Sequence, residues 1–281
     1  MNSGRWRGPR DMLSVHSPDT TRIAYEKTGS GPALILVDGA LCYRDCHGGG
    51  KLAALLADRF TVYTYDRRGR GESGDTAPYA VQREIDDLSA LVEAAGGSAS
   101  LYGISSGAAL ALEAANRVPG IDKLALYEPP FIVDDSRAPL TPGILSEIQQ
   151  MVADGRRSAA IKAFMREVGV PGLMVTVMPA VPGWSKMKGI AHTVPYDLSI
   201  VADNQVGEPL PADGWTGVTM PTLVMVGGKS PGFFHTGTRQ LADRLPEAEH
   251  RVVDGQTHMV RPRAIAPVLG AFLGAEQGVV A

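Results

Sequence analysis

Gly103-Ile104-Ser105-Ser106-Gly107 is a G-x-S-x-G run between an apolar lead-in, Ala99 to Tyr102, and a helix-forming stretch, Ala108 to Ala115. That setting predicts a serine held on a sharp strand-to-helix turn. The glycines let strand, turn and helix approach closely. The following helix points unpaired N–H groups at the serine, where negative charge is favoured. Five residues of this kind recur by chance as an ordinary glycine-rich turn. The flanking strand and helix single out Ser105 as a candidate nucleophile.

A serine hydroxyl attacks poorly until a base takes its proton. His258, in Asp254-Gly255-Gln256-Thr257-His258-Met259, is the best base: it follows the last expected strand and lies after Ser105 in the chain. His16, His47, His192, His235 and His250 read as surface or structural histidines. The base in turn needs a carboxylate to orient it. The usual place is the loop after Thr222 to Val226, but Gly227-Gly228-Lys229-Ser230-Pro231 holds no acid. Either the site is inactive or the acid comes from elsewhere. Glu128 ends the strand directly after the nucleophile strand and can be aimed at the same histidine; it could equally do no more than cap a strand before Pro129-Pro130. Asp203 is a weaker alternative. An oxyanion needs two N–H donors. Ser106 supplies one, and the loop after Val37 supplies the other at Gly39 or Ala40, with Ala40 also placed to touch substrate.

The elements that must carry these residues alternate. Leu13 to His16 and Thr21 to Lys27 read as edge strands. Ala33 to Val37 reads as a strand buried on both faces, Ala99 to Tyr102 as a short buried strand, and Phe60 to Tyr65 and Lys123 to Tyr127 as further strands. Lys51 to Asp58 reads as a helix, and so does Val81 to Ala95, with Ile85, Leu88, Leu91 and Val92 at helical spacing. Asp66 to Ser73 forms a polar turn. After a break from about Phe131 to Gly217, rich in Pro, Gly and Met, the rhythm returns. Strands are expected over Thr222 to Val226 and His250 to Val253, and helices over Thr236 to Leu245 and Ala264 to Leu273. Strand–helix alternation implies an α/β fold with a parallel sheet wrapped by helices. Within the break, Ile144 to Ala153 and Arg157 to Val168 read as helices of a lid over the carboxyl ends of the strands. The expected division is a core of residues 11–129 and 218–275, a cap of residues 130–217 and an N-terminal tail of residues 1–10.

Composition bounds the function. The 281 residues carry a net charge of −3, and 44% are hydrophobic against 20% charged, which suits a large core and argues against nucleic acid as partner. Arg5, Arg7 and Arg10 are too few and too terminal for a binding arm. Two cysteines, Cys42 and Cys46, make neither a disulfide framework nor a metal site. No apolar run is long enough for a membrane span, and the N-terminus lacks an apolar signal region, so the expected location is cytoplasmic.

Asp66-Arg67-Arg68-Gly69-Arg70-Gly71-Glu72-Ser73, the G-x-S-x-G turn, the late His258 and the inserted cap together resemble the α/β-hydrolase family. Within it the chain is similar to the zearalenone hydrolase (lactonase) type. The shared features are Val37-Asp38-Gly39, Ile104-Ser105-Ser106-Gly107, Glu128-Pro129, the acid-free Gly228-Lys229-Ser230-Pro231 with Phe233-Phe234 after it, and a cap tryptophan, here Trp184. The resemblance runs from Leu13 to Leu273. It implies a mostly parallel eight-stranded sheet with a helical cap after strand 6, a Ser105–His258–Glu128 triad, and an oxyanion hole at Gly39 and Ser106. Much of the cap sequence differs, so the lactone substrate itself does not carry over.

The expected activity is cofactor-independent serine hydrolysis of a carboxylic ester or lactone. Met174, Met178, Met187, Trp184, Phe131 and Trp215 suggest an apolar, adaptable pocket, although each could equally be ordinary cap core. The rivals are a non-hydrolytic enzyme on the same fold (a cyclase, lyase or cofactor-free peroxidase) and a small-molecule binding protein. The expected partner is a small apolar substrate, and the expected assembly a monomer or homodimer.

Overall fold

The computed structural model describes residues 12–44 and 49–274. Cys46, His47 and the tail of residues 1–10 lie outside the described residues. Strands β1 (Leu13–His16), β2 (Arg22–Thr28), β3 (Ala33–Val37), β4 (Thr61–Tyr65), β5 (Ala99–Ile104), β6 (Ile121–Tyr127), β7 (Thr222–Gly227) and β8 (Ala248–Val253) form one eight-stranded sheet, in the order β1-β2-β4-β3-β5-β6-β7-β8. The pairings β1 with β2 and β2 with β4 are antiparallel. From β4 to β8 every pairing is parallel.

Helices cover both faces, which is why the central strands read as unbroken apolar runs. Side chains alternate across a strand: Ile35 and Val37 of β3 join one apolar layer, Leu34 and Leu36 the other. Helices α2 (Val81–Ala94) and α3 (Ser106–Ala115) cover the first layer, with Ile85, Leu88, Leu91 and Val92 turned inward as their spacing predicts. Leu88 and Leu91 retain no exposed surface, and full burial of such a side chain contributes roughly 1.5–3 kcal/mol. On the opposite face α1 (Gly49–Leu56) lies beside α10 (Pro262–Leu273), through Leu52, Leu56, Ile265 and Leu269.

The chain between β6 and β7 is helical: α4 (Ile144–Ala153), α5 (Arg157–Glu167), α6 (Gly172–Val177), α7 (Trp184–Gly189) and α8 (Val194–Val201). The first two match the sequence expectation. The short α6, α7 and α8 were hidden by their Gly, Pro and Met content. The insertion has its own apolar cluster, from Ile144 and Ile148 to Val194 and Leu198, joined by Leu41 from the loop after β3. Its two ends belong to the main core, since Phe131, Val133, Leu210 and Trp215 pack into the sheet layer. After β7, α9 (Gly232–Arg244) starts four residues before the expected Thr236, because Pro231 in an extended conformation ends the loop directly ahead of it. No helix among the described residues is long and apolar enough to cross a membrane.

Candidate active site

Ser105 sits between β5 and α3 with φ 57° and ψ −130°, a left-handed backbone that a non-glycine residue rarely adopts. Its neighbours make that turn possible. A Cβ on Gly103 would stand 2.5 Å from the Gly107 carbonyl oxygen and 2.6 Å from Ala108 Cα. One on Gly107 would run into the Val37 carbonyl. The serine N–H donates to the Tyr127 carbonyl at 2.9 Å, which ties the turn to the neighbouring strand β6.

Glu128 directly follows β6 and has φ 49° and no exposed surface. A buried carboxylate must be fully hydrogen-bonded, and this one is. Its Oε1 accepts from the Gly227 N–H and the Ser230 hydroxyl, both at 2.6 Å. Its Oε2 lies 2.7 Å from His258 Nδ1. Gly227 permits the first contact, because a Cβ there would stand 2.6 Å from both the Tyr127 hydroxyl and the Gln256 carbonyl. The acid-free loop after β7 therefore supplies donors where a carboxylate was sought. Tyr127 fixes the histidine loop by donating to the Thr257 carbonyl at 2.7 Å. Phe234 stacks on the imidazole, with ring centres 4.7 Å apart. A histidine whose Nδ1–H faces a carboxylate presents Nε2 as a proton acceptor.

The competing residues lie elsewhere. Asp203 is exposed and does not line the site. His16 is exposed, His192 faces Asp75 at 3.5 Å, and His250 meets Thr238 at 3.0 Å. His235 is half-buried on α9, away from the cavity wall.

On the other side of Ser105 lies the loop after β3. A Cβ on Gly39 would stand 3.0 Å from Ser105 Cβ and 3.6 Å from its Oγ, so only glycine lets that loop come so near. The turn after β4, expected as merely polar, is a buried ionic network. Arg67 binds both Glu84 oxygens at 2.7 Å, and its Nη1 reaches Asp197 at 2.8 Å and the Asp38 carbonyl at 3.2 Å. Arg70 donates to Asp197 and to the Gly39 carbonyl, each at 2.7 Å. Asp197, on α8 and fully buried, also accepts the Ser106 hydroxyl at 2.8 Å. Burial by itself would raise the Asp197 pKa; the charges of Arg70 and Arg67 outweigh it and hold the carboxyl below its ordinary value. In a trans peptide the C=O and N–H point in opposite directions. Two clamped carbonyls therefore turn the N–H groups of Gly39 and Ala40 away from the arginines.

These parts meet at one cavity of about 510 Å³. Ser105, Ser106, His258, Gly39, Ala40 and Asp197 all line it, and the rest of the wall is mainly aliphatic and aromatic. Met187 contributes to that wall, but Phe131, Trp184, Met178, Met174 and Trp215, expected there as well, do not. After the double proline the chain turns back under the sheet, so Phe131 is buried and stacked on Trp215 with ring centres 5.9 Å apart. Trp184, at the start of the short α7, packs against the insertion's own cluster. Met178 lies on a single 3₁₀ turn before α7, also off the cavity wall, as is the exposed Met174.

Asp197, Arg67, Arg70, Phe233 and Arg137 escaped sequence reasoning as site residues. A hint was present: three arginines in one turn demand counter-charges if the turn is buried. Nothing in the spacing named a partner well over a hundred positions later.

Comparison with known proteins bears on the family and the fold. A crystal structure of an alpha/beta hydrolase from Sphaerobacter thermophilus DSM 20745 is 48% identical, covers 93% of this chain and 100% of its own, and superposes with a TM-score of 0.86. An esterase from Thermogutta terrifontis, 20% identical, shares the fold with a TM-score of 0.67 over 94% of this chain and 98% of its own. The uncharacterized hydrolase YraK of Bacillus subtilis (strain 168) is 30% identical over 158 residues, 51% of this chain and 54% of YraK, so the chain spans about half the length of that curated relative. A sequence model of the alpha/beta hydrolase family matches residues 39–268. Strand order, serine turn and family match together make the chain a member of the α/β-hydrolase family.

Proposed function

We propose that the protein hydrolyses a carboxylic ester or lactone through an acyl-enzyme. The observation that carries the proposal is the 2.7 Å contact between the buried Glu128 carboxylate and His258 Nδ1, in a cavity that Ser105 also lines. His258 Nε2 takes the proton as Ser105 Oγ attacks the carbonyl carbon. The oxyanion that forms is held by the N–H groups of Ser106 and of Gly39 or Ala40. Glu128 holds the imidazolium, which then protonates the departing alkoxide. In an ester the alcohol leaves; in a lactone it stays tethered to the acyl group. Water, deprotonated by the same histidine, releases the acid and restores Ser105. Every proton in this sequence is handled by the chain's own residues and water, so no cofactor is invoked.

Glu128 at the end of β6, with an acid-free loop after β7, favours the lactonase-like subset that the sequence resembles. Ala40 is the substrate contact that both sequence and cavity support. Ser105→Ala is expected to lower hydrolysis of a chromogenic short-chain ester by at least about 10³-fold. Turnover that survives this substitution, or survives labelling of Ser105 by a fluorophosphonate, would overturn the acyl-enzyme and favour a non-hydrolytic reaction at His258.

A further inference from the structure

Arg137 lies on the segment between β6 and α4, half-buried, in the wall of the same cavity as Ser105 and His258. Its hydrogen bond among the described residues runs from Nη2 to the Glu167 carbonyl, at 2.5 Å. Its guanidinium lies over the Phe233 ring, 4.6 Å from the centre. Phe233 packs on Phe234 at 4.1 Å, and Phe234 on His258 at 4.7 Å. Arg137, Phe233, Phe234 and His258 thus form a continuous row of contacts, and Phe233 and Phe234 line the cavity with them.

Arg137 differs from the buried arginines in how its charge is met. The buried arginines Arg44, Arg67, Arg68 and Arg70 each meet carboxylates within ion-pair distance. Among the described residues no carboxylate oxygen stands that close to Arg137. Glu167 lines the cavity too; its Oε1 accepts from the Thr141 N–H at 2.8 Å, and its charge acts on Arg137 without an ion pair among the described residues. Burial lowers the Arg137 pKa, and the charge of Glu167 offsets this only in part. A guanidinium offers five donors in a planar fork suited to carboxylate. One placed in a mainly aliphatic and aromatic wall is poised for an anion that arrives with the ligand.

We propose that the substrate is an ester or lactone bearing a free carboxylate, and that Arg137 binds this group while the scissile carbonyl rests at Ser105. The proposal rests on the hydrolase reading above. Its test compares two pairs of chromogenic esters: mono-4-nitrophenyl esters of short dicarboxylic acids against their neutral monocarboxylic counterparts, and a nitrophenyl butyrate with and without a carboxylate on its ring. In at least one pair the wild type should favour the anionic member in kcat/KM. Arg137→Gln should cut that ratio roughly 10- to 100-fold, the size of a lost charge-assisted hydrogen bond. A ratio taken within one preparation is insensitive to partial unfolding. No anionic preference in either pair, or a ratio that Arg137→Gln leaves intact, overturns the proposal. If the wild type cleaves none of the esters, calorimetry with free adipate decides: binding that Arg137→Gln abolishes supports the site even as the hydrolase reading fails, and no binding overturns both.

Discussion

Glu128 combines zero exposure with a left-handed backbone at φ 49°, and Ser105 one strand over has φ 57°. Such conformations cost roughly 1–3 kcal/mol each and persist where surrounding structure over-determines them. At Glu128 the over-determination is visible as three hydrogen-bond partners on two oxygens. Glu128→Gln keeps the shape but removes the charge that would stabilise an imidazolium. Replacing the orienting carboxylate by its amide in Ser–His–Asp hydrolases costs about 10⁴-fold. A fall in kcat of roughly 10³- to 10⁴-fold is expected here, with KM within a few-fold. Steady-state kinetics on one ester settles it, and a loss under tenfold would remove Glu128 from the mechanism.

Among the elements, α8 stands apart because it belongs to two bodies at once. Val194 and Leu198 pack in the insertion's cluster, while Ile200 and Val201 join the sheet layer. Between them Asp197 holds Arg67, Arg70 and Ser106. The arginines in turn hold the carbonyls of Asp38 and Gly39. The helix therefore positions both peptides proposed to face the oxyanion, as well as Ser106. Asp197→Asn should lower kcat roughly 10- to 100-fold, less than the 10²- to 10³-fold cost of losing an oxyanion donor outright. KM should move little, because the loss falls on the transition state. A drop in Tm with kcat preserved would make the network a stabilising device only.

Across the whole molecule the ionic network sets the response to acid. Asp197 titrates below an ordinary carboxyl, and a group with a depressed folded pKa stabilises the fold above its unfolded value. Its contribution is fully present above about pH 4 and is lost as pH falls through the lower folded value. Asp75 acts in the same direction: burial would raise its pKa, but hydrogen bonds to His192 and Tyr196 bring it down. Thermal unfolding followed from neutral pH to about pH 3 should show Tm falling at the acid end. Asp197→Asn should flatten that slope while lowering Tm at neutral pH, since two buried arginines lose their shared counter-charge. An acid slope identical in the two proteins would mean that Asp197 is not held low in the fold.

The sequence by itself determined whatever depends on local pattern. Apolar runs marked the central strands, spacing marked α2, and Gly103 to Gly107 marked the turn that carries Ser105. These are short-range consequences of side-chain periodicity and backbone freedom. The missing acid after β7 was also legible, and it pointed to Glu128 because adjacent strands share an edge. The helices α6 to α8 were not, since short, Gly- and Pro-interrupted helices form through tertiary packing rather than propensity. The pocket wall was misjudged at Phe131, Trp184, Trp215, Met174 and Met178 for a related reason. Hydrophobicity says that a side chain is buried, but only the packed chain decides whether it meets a cavity or another side chain, as Phe131 meets Trp215. Charge followed the same rule. Asp197 and Arg137 look alike in the sequence as solvated residues of an insertion. Only the fold buries one among arginines and leaves the other on the cavity wall with no ion pair among the described residues, because ion pairing is set by distance in space and not along the chain.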